Sequence, residues 1–373
     1  MKSAKIILPT LLAISPLTGI SVKATPPSMK NPIIEAEIPD STNPAPRFTW
    51  GVSITTEGQW NMSNNHGAWA NLIEAEITAA LWQTALFEAG AISTYTLGKN
   101  ATDVRQDFSN INATNRAFRL THLGIEQYIG SSIRLFAGLR QADADYFNTE
   151  MAGLFTGASY GCLPIVNDNF NVNVYPVAAL GVHAEWTPKE NMTLKTSLYN
   201  GASSDRIDHQ FRFRPHRDGL LNLGSITYTL PAAKDNELPA NYVIGYNIGN
   251  HRHAYQDRRH TQFGFYVTAE QPLFRMGRLR LCATGTGAME FNDPQVAEGY
   301  WNAALALEHV TRRGGTLAFG LSRAYYSDGH ETDLEATFVL PVNKYFSLQP
   351  TLHYLCTDGK RQVVGQLRLM AEF

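Results

Sequence analysis

The densest set of side chains able to bind a solute lies in one irregular stretch, LRQADADYFNTEMAGLFTGASYGCLPIVND, from Leu139 to Asp168. Its acids and aromatic rings include Asp143, Asp145, Tyr146, Phe147, Phe155 and Tyr160. Carboxylates accept hydrogen bonds from hydroxyl groups, and aromatic rings pack against apolar surfaces. This combination suits the alternating hydroxyls and apolar faces of a sugar.

Two short motifs could suggest metal or catalytic chemistry, but both lack their partners. His183 begins an H-x-E triplet as in zinc deaminases, yet the P-C-x-x-C that must accompany it is missing. Asp143 and Asp145 could begin a calcium loop, yet no EF-type loop with a closing Glu follows. We therefore expect no metal ion, no cofactor and no catalytic residue, and we do not expect an enzyme.

The composition favours a chain that places many positions against something apolar. Charged residues are 17% of the chain, below the soluble average of about 25%. The net charge of -2 and the pI near 6.6 argue against nucleic acid as a partner, because binding it needs a concentrated basic face. Cys162, Cys282 and Cys356 have neither CxxC nor zinc spacing, which predicts free thiols.

The N-terminus has the pattern of an export signal. Lys2 and Lys5 precede the apolar run IILPTLLAIS, and SVKA offers a cleavage site after Ala24. We predict a signal peptide at 1–24 and a Pro-rich, flexible lead-in at 25–47. Ordered chain should begin near Phe48. Beyond residue 25 no apolar run is long enough for a transmembrane helix.

From Phe48 to Phe373 the dominant signal is alternation with period two. Sets such as Ile73, Ala75 and Ile77 are apolar, and polar residues stand between them, which is typical of strands with two different faces. We count about sixteen such strands, and an even number is expected for a bacterial outer-membrane barrel. The predicted fold is all-β, a 16-stranded antiparallel transmembrane β-barrel over 48–373.

Two regularities favour a membrane barrel over a soluble sandwich. No Lys, Arg, Asp or Glu falls in the apolar sets, and a cation facing lipid at mid-bilayer costs about 2–4 kcal/mol. Connections alternate between tight turns such as IGSSI and longer segments, as periplasmic turns alternate with external loops. The first and the last strand of the barrel then both have their free chain ends on the periplasmic side, and Phe373 closes the last strand.

The polar positions between the apolar sets should line an aqueous lumen. Alternation assigns both signs of charge to this wall, including Glu126, Arg134, Arg140, Glu185 and Lys195. It does not assign a face to Arg119 or Arg323, which stand near strand ends.

The irregular stretch leaves the fifth strand on the external side. We predict a long external loop at 141–177 that can fold into the lumen, because Gly153, Gly157 and Gly161 allow close packing against the wall. Loops of this length without secondary structure of their own are usually functional. Its acids and aromatic rings would then face the passage.

Three segments carry a family resemblance: RLFAGLRQADADYFNTEMAGLFTGASYGCLP, YPVAALGVHAEWTPKENMTLKTSLYNG and YFSLQPTLHYL. They resemble the OprB-type carbohydrate-selective porins over about 118–201 and 331–355. The resemblance implies passive sugar diffusion through a sixteen-stranded barrel, with arginines and acids at a loop-built constriction that correspond to Arg134, Arg140, Asp143 and Asp145. Thr351 and His353 stand where the family often has Asp and Gln, so the resemblance does not identify which sugar permeates.

The expected protein is a passive outer-membrane diffusion porin for small hydrophilic solutes, preferentially carbohydrates. Its partners would be permeating sugars and outer-membrane lipid, and whether it forms a homo-oligomer stays open. The alternatives are a general non-selective porin, a barrel enzyme with its site on the outer wall, and a surface adhesin.

Overall fold

A computed structural model describes residues 48–170, 172–204, 206–231, 239–252, 259–292 and 296–373. The predicted signal peptide at 1–24 and lead-in at 25–47 lie outside the described residues. Within the described ranges, no helix is long and apolar enough to cross a bilayer.

The described chain forms sixteen strands. They are β1 (Phe48–Asn61), β2 (His66–Trp82), β3 (Ala85–Gly98), β4 (Arg116–Ile129), β5 (Ile133–Arg140), β6 (Ala179–Lys189), β7 (Met192–Asn200), β8 (Leu220–Leu230), β9 (Ala240–Arg252), β10 (Arg259–Met276), β11 (Leu279–Phe291), β12 (Ala297–Glu308), β13 (Thr316–Tyr326), β14 (Gly329–Pro341), β15 (Phe346–Thr357) and β16 (Lys360–Glu372). Each strand pairs antiparallel with its neighbours in the chain, and β1 pairs with β16. The predicted closed 16-stranded barrel is confirmed.

Closure satisfies the backbone of the wall, because a barrel leaves no open strand edge in lipid. The seam runs from Ser53 opposite Glu372 to Asn61 opposite Val364. Side chains alternate across it: Trp50 and Ile54 are exposed on the outside, whereas Glu57 and Arg368 are buried inside and form an ion pair of 2.7 Å between Oε2 and Nε. Polar residues therefore face inward, as the period of two predicts.

The structure shows which side of the wall Arg119 and Arg323 face, which alternation left open. A register shift in β4 places Thr121 and His122 both on the buried side, and Arg119 beyond it is buried against Thr94 and Thr114. Arg323 has the opposite orientation, since it follows Phe319 and Leu321 on the outward face of β13. A bulge changes the parity of a strand, which a fixed period cannot predict.

The helices are short and lie in the long connections. They are α1 (Asp143–Tyr146), a 3-10 turn (Ala152–Leu154), α2 (Ala158–Gly161), α3 (Pro164–Asn167), α4 (Ile207–Gln210) and α5 (Pro215–Asp218). The wall is low at β5 and β7, which have 8 and 9 residues. Above the end of β5, Gln210 of α4 donates a hydrogen bond to the carbonyl of Leu120 in β4. This contact satisfies a backbone acceptor near the end of the strand pairing.

Candidate functional site

The connection between β5 and β6 contacts inward-facing side chains of distant strands. The backbone N–H of Met151 donates to Glu270 of β10 at 2.9 Å, and that of Thr156 donates to Glu335 of β14 at 2.7 Å. Gln349 of β15 donates to the carbonyl of Leu154 at 2.9 Å. These partners lie on the far side of the barrel from β5, so the segment crosses the lumen.

The first turn of this loop is held by a buried ion pair. Arg140 at the end of β5 donates to both carboxylate oxygens of Asp145, with Nε–Oδ2 at 2.7 Å and Nη2–Oδ1 at 2.8 Å. The guanidinium also lies 4.7 Å from the ring centroid of Phe136. Burial alone would raise the pKa of Asp145, but Arg140 and His183 hold it below its usual range. Asp145 is therefore ionised and bound.

Asp143 lies in the same turn but has a different environment. It is fully buried, and its Oδ2 accepts a long 3.4 Å hydrogen bond from the backbone N–H of Tyr175. Among the described residues its Oδ1 has no partner. Burial raises the pKa of Asp143 to about 7, although the Tyr175 N–H opposes the shift. Below that pH the side chain is mainly a neutral acid.

A series of paired acidic and basic side chains, here called the charge ladder, continues from this ion pair. It runs toward the end of the barrel where short turns connect the strands. Arg134 donates to Glu126 at 3.0 Å and to Glu185 at 2.8 Å. Lys195 lies 3.7 Å from Glu185 and donates to the carbonyl of Asp145 at 3.0 Å. The side chains of Arg134, Glu185 and Lys195 keep 14%, 22% and 23% of their surface accessible. They are the partly solvated charges of this part of the wall.

Tyr146 lies beside the same ladder, where its hydroxyl is fixed. Its Oη is 2.7 Å from Oγ of Ser197 and donates to the carbonyl of Leu223 at 3.3 Å. Its ring lies near Phe147, which packs edge to face on Tyr266 with centroids 5.5 Å apart. The loop thus presents a fixed aromatic edge toward β10.

Phe155 and Tyr160 lie further along the loop, against β13. Their rings stack with centroids 4.3 Å apart and planes 17° apart. They pack on Gly320 of β13, where any Cβ would collide with both rings. Both side chains are buried, and among the described residues the hydroxyl of Tyr160 has no hydrogen-bond partner.

The structure thus brings the ten predicted site residues into two groups. Glu126, Arg134, Arg140, Asp145, Glu185 and Lys195 form one charge network, with Tyr146 and Asp143 beside it. Phe155 and Tyr160 form a separate stack on β13. Arg140, Asp143 and Asp145 are buried contacts that hold the loop.

A narrow gap, with room for about one water molecule, remains between the loop and the wall of β10–β12. Tyr146, Phe147 and Tyr160 line its loop side. The opposite side is lined by uncharged polar side chains: Thr268, Thr284, Thr286 and Asn302. The hydroxyls of Thr268 and Thr286 are 3.0 Å apart, and Asn302 accepts from the backbone N–H of Thr286 at 3.1 Å.

Sequence reasoning missed this hydroxyl-bearing wall because it ranked inward positions by charge. The available signal was the inward alternation of Thr284 and Thr286 on β11. It also missed the anchors of the loop tip. Glu335 accepts three hydrogen bonds, from Thr156 N, Thr156 Oγ1 and Gly157 N, at 2.7, 3.0 and 3.0 Å.

Asp333, Glu335 and His353 form a buried cluster with ligand atoms close enough to hold a metal ion. The atoms already have protein partners: His353 lies 3.0 Å from Asp333 and 2.9 Å from Thr156 Oγ1. Glu335 is occupied by the three donors of the loop tip. The cluster therefore acts as the anchor of the loop on β14 and β15.

A second loop, 99–115 between β3 and β4, also lies in the mouth. The backbone N–H of Asn110 donates to Thr156 at 2.7 Å, and Asp107 accepts from Ala158 at 2.9 Å. Arg105 pairs with Asp328 and Asp358, in the turns after β13 and β15. This loop covers the crossing segment from the long-loop side.

Comparison with known proteins agrees with this geometry. A family model described as carbohydrate-selective porin, OprB family, matches residues 69–373. The high-pH structure of Pseudomonas putida OprB superposes with a TM-score of 0.75 at 14% identity, covering 87% of this chain and 94% of that chain. An anion-selective porin from Comamonas acidovorans gives 0.56 at 10% identity, covering 87% and 99%. A search of curated proteins finds no match.

Proposed function

Because the chain belongs to the OprB family of carbohydrate-selective porins, we propose that sugars pass between the loop 141–177 and β10–β12, along a gap that widens to admit them. The protein is a diffusion porin of the bacterial outer membrane for carbohydrates. Family and fold imply a channel rather than an enzyme. Transport is passive and follows the concentration gradient.

The observation that carries the proposal is the chemistry of the two sides of the gap. Tyr146, Phe147 and Tyr160 offer aromatic surface, whereas Thr284, Thr286 and Asn302 offer hydroxyl and amide groups. Sugars carry apolar faces and hydroxyls, so both sides find partners on one solute. Neutral wall groups exchange hydrogen bonds with a solute without holding it as a charge would.

The predicted charged residues have two different roles in this proposal, one for the buried ions and one for the partly solvated ions. Arg140 and Asp145 fix the first turn of the loop, and Asp143 is packed beside them. Arg134, Glu185 and Lys195 are partly solvated and form the charged wall toward the periplasmic end. In this proposal the buried ions set the width of the gap, and the solvated ions set the response to charged solutes.

A liposome-swelling assay tests the gap. We expect the double variant Thr284→Val/Thr286→Val to slow entry of neutral monosaccharides more than entry of KCl, because it removes two hydroxyls at constant shape. Thr49→Val on β1 is the control, since its hydroxyl is also buried in the wall but does not line the gap. Sugar entry at the wild-type rate in the double variant would remove the gap from the proposal.

The same assay separates a carbohydrate porin from a general one. For the wild-type protein we expect neutral sugars to enter faster than amino acids of matched size. Equal rates would favour the general porin and leave the gap as a simple opening. No entry above that of empty liposomes would overturn diffusion altogether.

A further inference from the structure

Two arginines, Arg323 and Arg361, lie on the outward face of the barrel. They stand at the border between the outward apolar residues and the end of the barrel that carries the long loops. Arg323 of β13 pairs in register with Thr332 of β14, Thr332 with Cys356 of β15, and Cys356 with Arg361 of β16. Residues paired in this way project to the same side of a sheet. The four side chains therefore form one outward row that begins and ends with a guanidinium.

The row lies at the border of the apolar band. The next outward row on the same strands, toward the short-turn end, is wholly apolar or aromatic: Leu321, Leu334, Tyr354 and Val363. Tyr325 and Trp301 flank Arg323, whose guanidinium carbon is 5.3 Å from the Tyr325 ring centroid. Tyr and Trp concentrate at the level of lipid headgroups. Both arginines thus stand at that level.

Neither guanidinium has an anion to balance it. Arg323 and Arg361 form no hydrogen bond or ion pair with any residue in the described ranges, and Nε of Arg323 is buried without a partner. Outward positions of β13–β16 carry no acid. Glu298, exposed at the start of β12, makes no ion pair with either arginine in the described part of the chain. A desolvated guanidinium is costly unless an anion reaches it.

We propose that this row binds a phosphate-bearing lipid of the outer leaflet, with Arg323 and Arg361 each contacting a phosphate group. Three strand spacings of about 4.8 Å separate the two arginines by roughly 14 Å. That separation suits one glycolipid headgroup with a phosphate at each end, or two neighbouring headgroups. The acyl chains would lie on Leu334, Tyr354 and the apolar rows beyond them.

Charge selects this occupant over a second copy of the chain. A two-fold contact through this face would bring arginines toward arginines across an interface without outward acids. A phosphate instead offers several acceptor oxygens to a planar donor. The lipid also supplies the apolar surface that the neighbouring rows require.

The test uses the full mature barrel in detergent and counts bound lipid by native mass spectrometry. The probes are a diphosphorylated lipid A-type glycolipid, the same glycolipid without phosphates, and inorganic phosphate. We expect the phosphorylated glycolipid to bind the wild type, and Arg323→Gln and Arg361→Gln each to weaken it about fivefold. Arg312→Gln, an exposed arginine in the turn before β13, is the control and should bind as the wild type does.

Several outcomes decide the proposal. Retention of some binding in Arg323→Lys/Arg361→Lys, with loss in the double Gln variant, supports a charge contact. Equal binding of the phosphate-free glycolipid, or full binding by the double Gln variant, overturns it. Displacement of the glycolipid by equimolar inorganic phosphate assigns the row to free anions and overturns it as a lipid site. A dimer that only the double Gln variant loses would make the face a self-interface. The gel shift of unheated barrels in SDS verifies folding of each variant.

Discussion

Arg140 and Asp145 are joined by two parallel hydrogen bonds, 2.7 and 2.8 Å long, at the point where the fifth strand becomes the loop that crosses the lumen. Both side chains are almost completely buried. Removal of one partner from such a pair leaves an uncompensated buried charge, which costs about 3–5 kcal/mol. The pair is therefore a strong constraint on where the loop lies.

The first prediction follows from this pair. Asp145→Ala should release the loop from β5, because the buried Arg140 guanidinium then has no carboxylate partner. Arg140 regains water when the loop moves out of the lumen. We expect larger and noisier single-channel currents with loss of sugar preference. Arg140→Ala/Asp145→Ala should be milder, because no buried charge remains. If the single and double variants gave the same currents as the wild type, the pair would not position the loop.

The second prediction concerns pH. Burial raises the pKa of Asp143 to about 7, above the value of about 3.9 in an unfolded chain. Because the pKa is raised, the contribution of Asp143 to the stability of the packed loop is fully present below about pH 4. This contribution is lost as pH rises from about 4 to 7. The protection factors of the backbone amides in 141–150, which correct the exchange rates for the intrinsic pH dependence of amide exchange, should therefore rise on acidification from pH 7.5 to 5.

Asp168 shifts the same response in the same direction. Burial raises its pKa to about 7 despite hydrogen bonds from Tyr326 and Gln106. Asp145 does not oppose the trend in this window, because its pKa lies below the usual range. Asp143→Asn/Asp168→Asn should abolish the difference in these protection factors between pH 7.5 and 5. An unchanged pH response in that variant would assign the effect to other groups.

The third prediction concerns the stack on β13. Gly320→Val places a side chain where the rings of Phe155 and Tyr160 lie, and such overpacking costs about 1–3 kcal/mol. We expect the loop tip to leave the wall, seen as faster proteolysis within 150–160. Gly287→Ala on β11 is the control, because a Cβ there meets open space. Equal protease resistance in both variants would contradict the packing role.

The fourth prediction concerns the solvated ladder. Arg134→Gln removes one cation beside Glu126 and Glu185, so the lumen should become more cation-selective. Reversal potentials across a KCl gradient measure the change. Arg313→Gln in the turn between β12 and β13, exposed and away from the lumen ladder, is the control. A shift of the same size in both would mean that the ladder does not face the ion path.

The fifth prediction lies outside the described residues. The basic start, apolar run and SVKA site predict that the exported protein begins at Thr25. N-terminal sequencing of protein from outer membranes measures this directly. Retention of residues 1–24 in that fraction would contradict the signal peptide.

The alternation from Phe48 to Phe373 was sufficient to predict the barrel, its strand number and the inward face of Glu126, Arg134, Glu185 and Lys195. The reason is local: consecutive side chains of a strand point to opposite sides, and lipid excludes charge from one of them. The same rule stops at bulges and strand ends, so it could not assign a face to Arg119 or Arg323.

Only the tertiary structure decided what the predicted site residues touch. The types of Asp143 and Asp145 are the same, yet one packs as a buried acid against Tyr175 and the other binds Arg140. Contacts of Thr156 with Glu335 and of Tyr160 with Gly320 join residues more than 150 positions apart. Such contacts arise when barrel closure brings β13–β15 opposite β5. The sequence alternation determines which side chains of the regular strand segments enter the lumen, and closure determines which of them meet there.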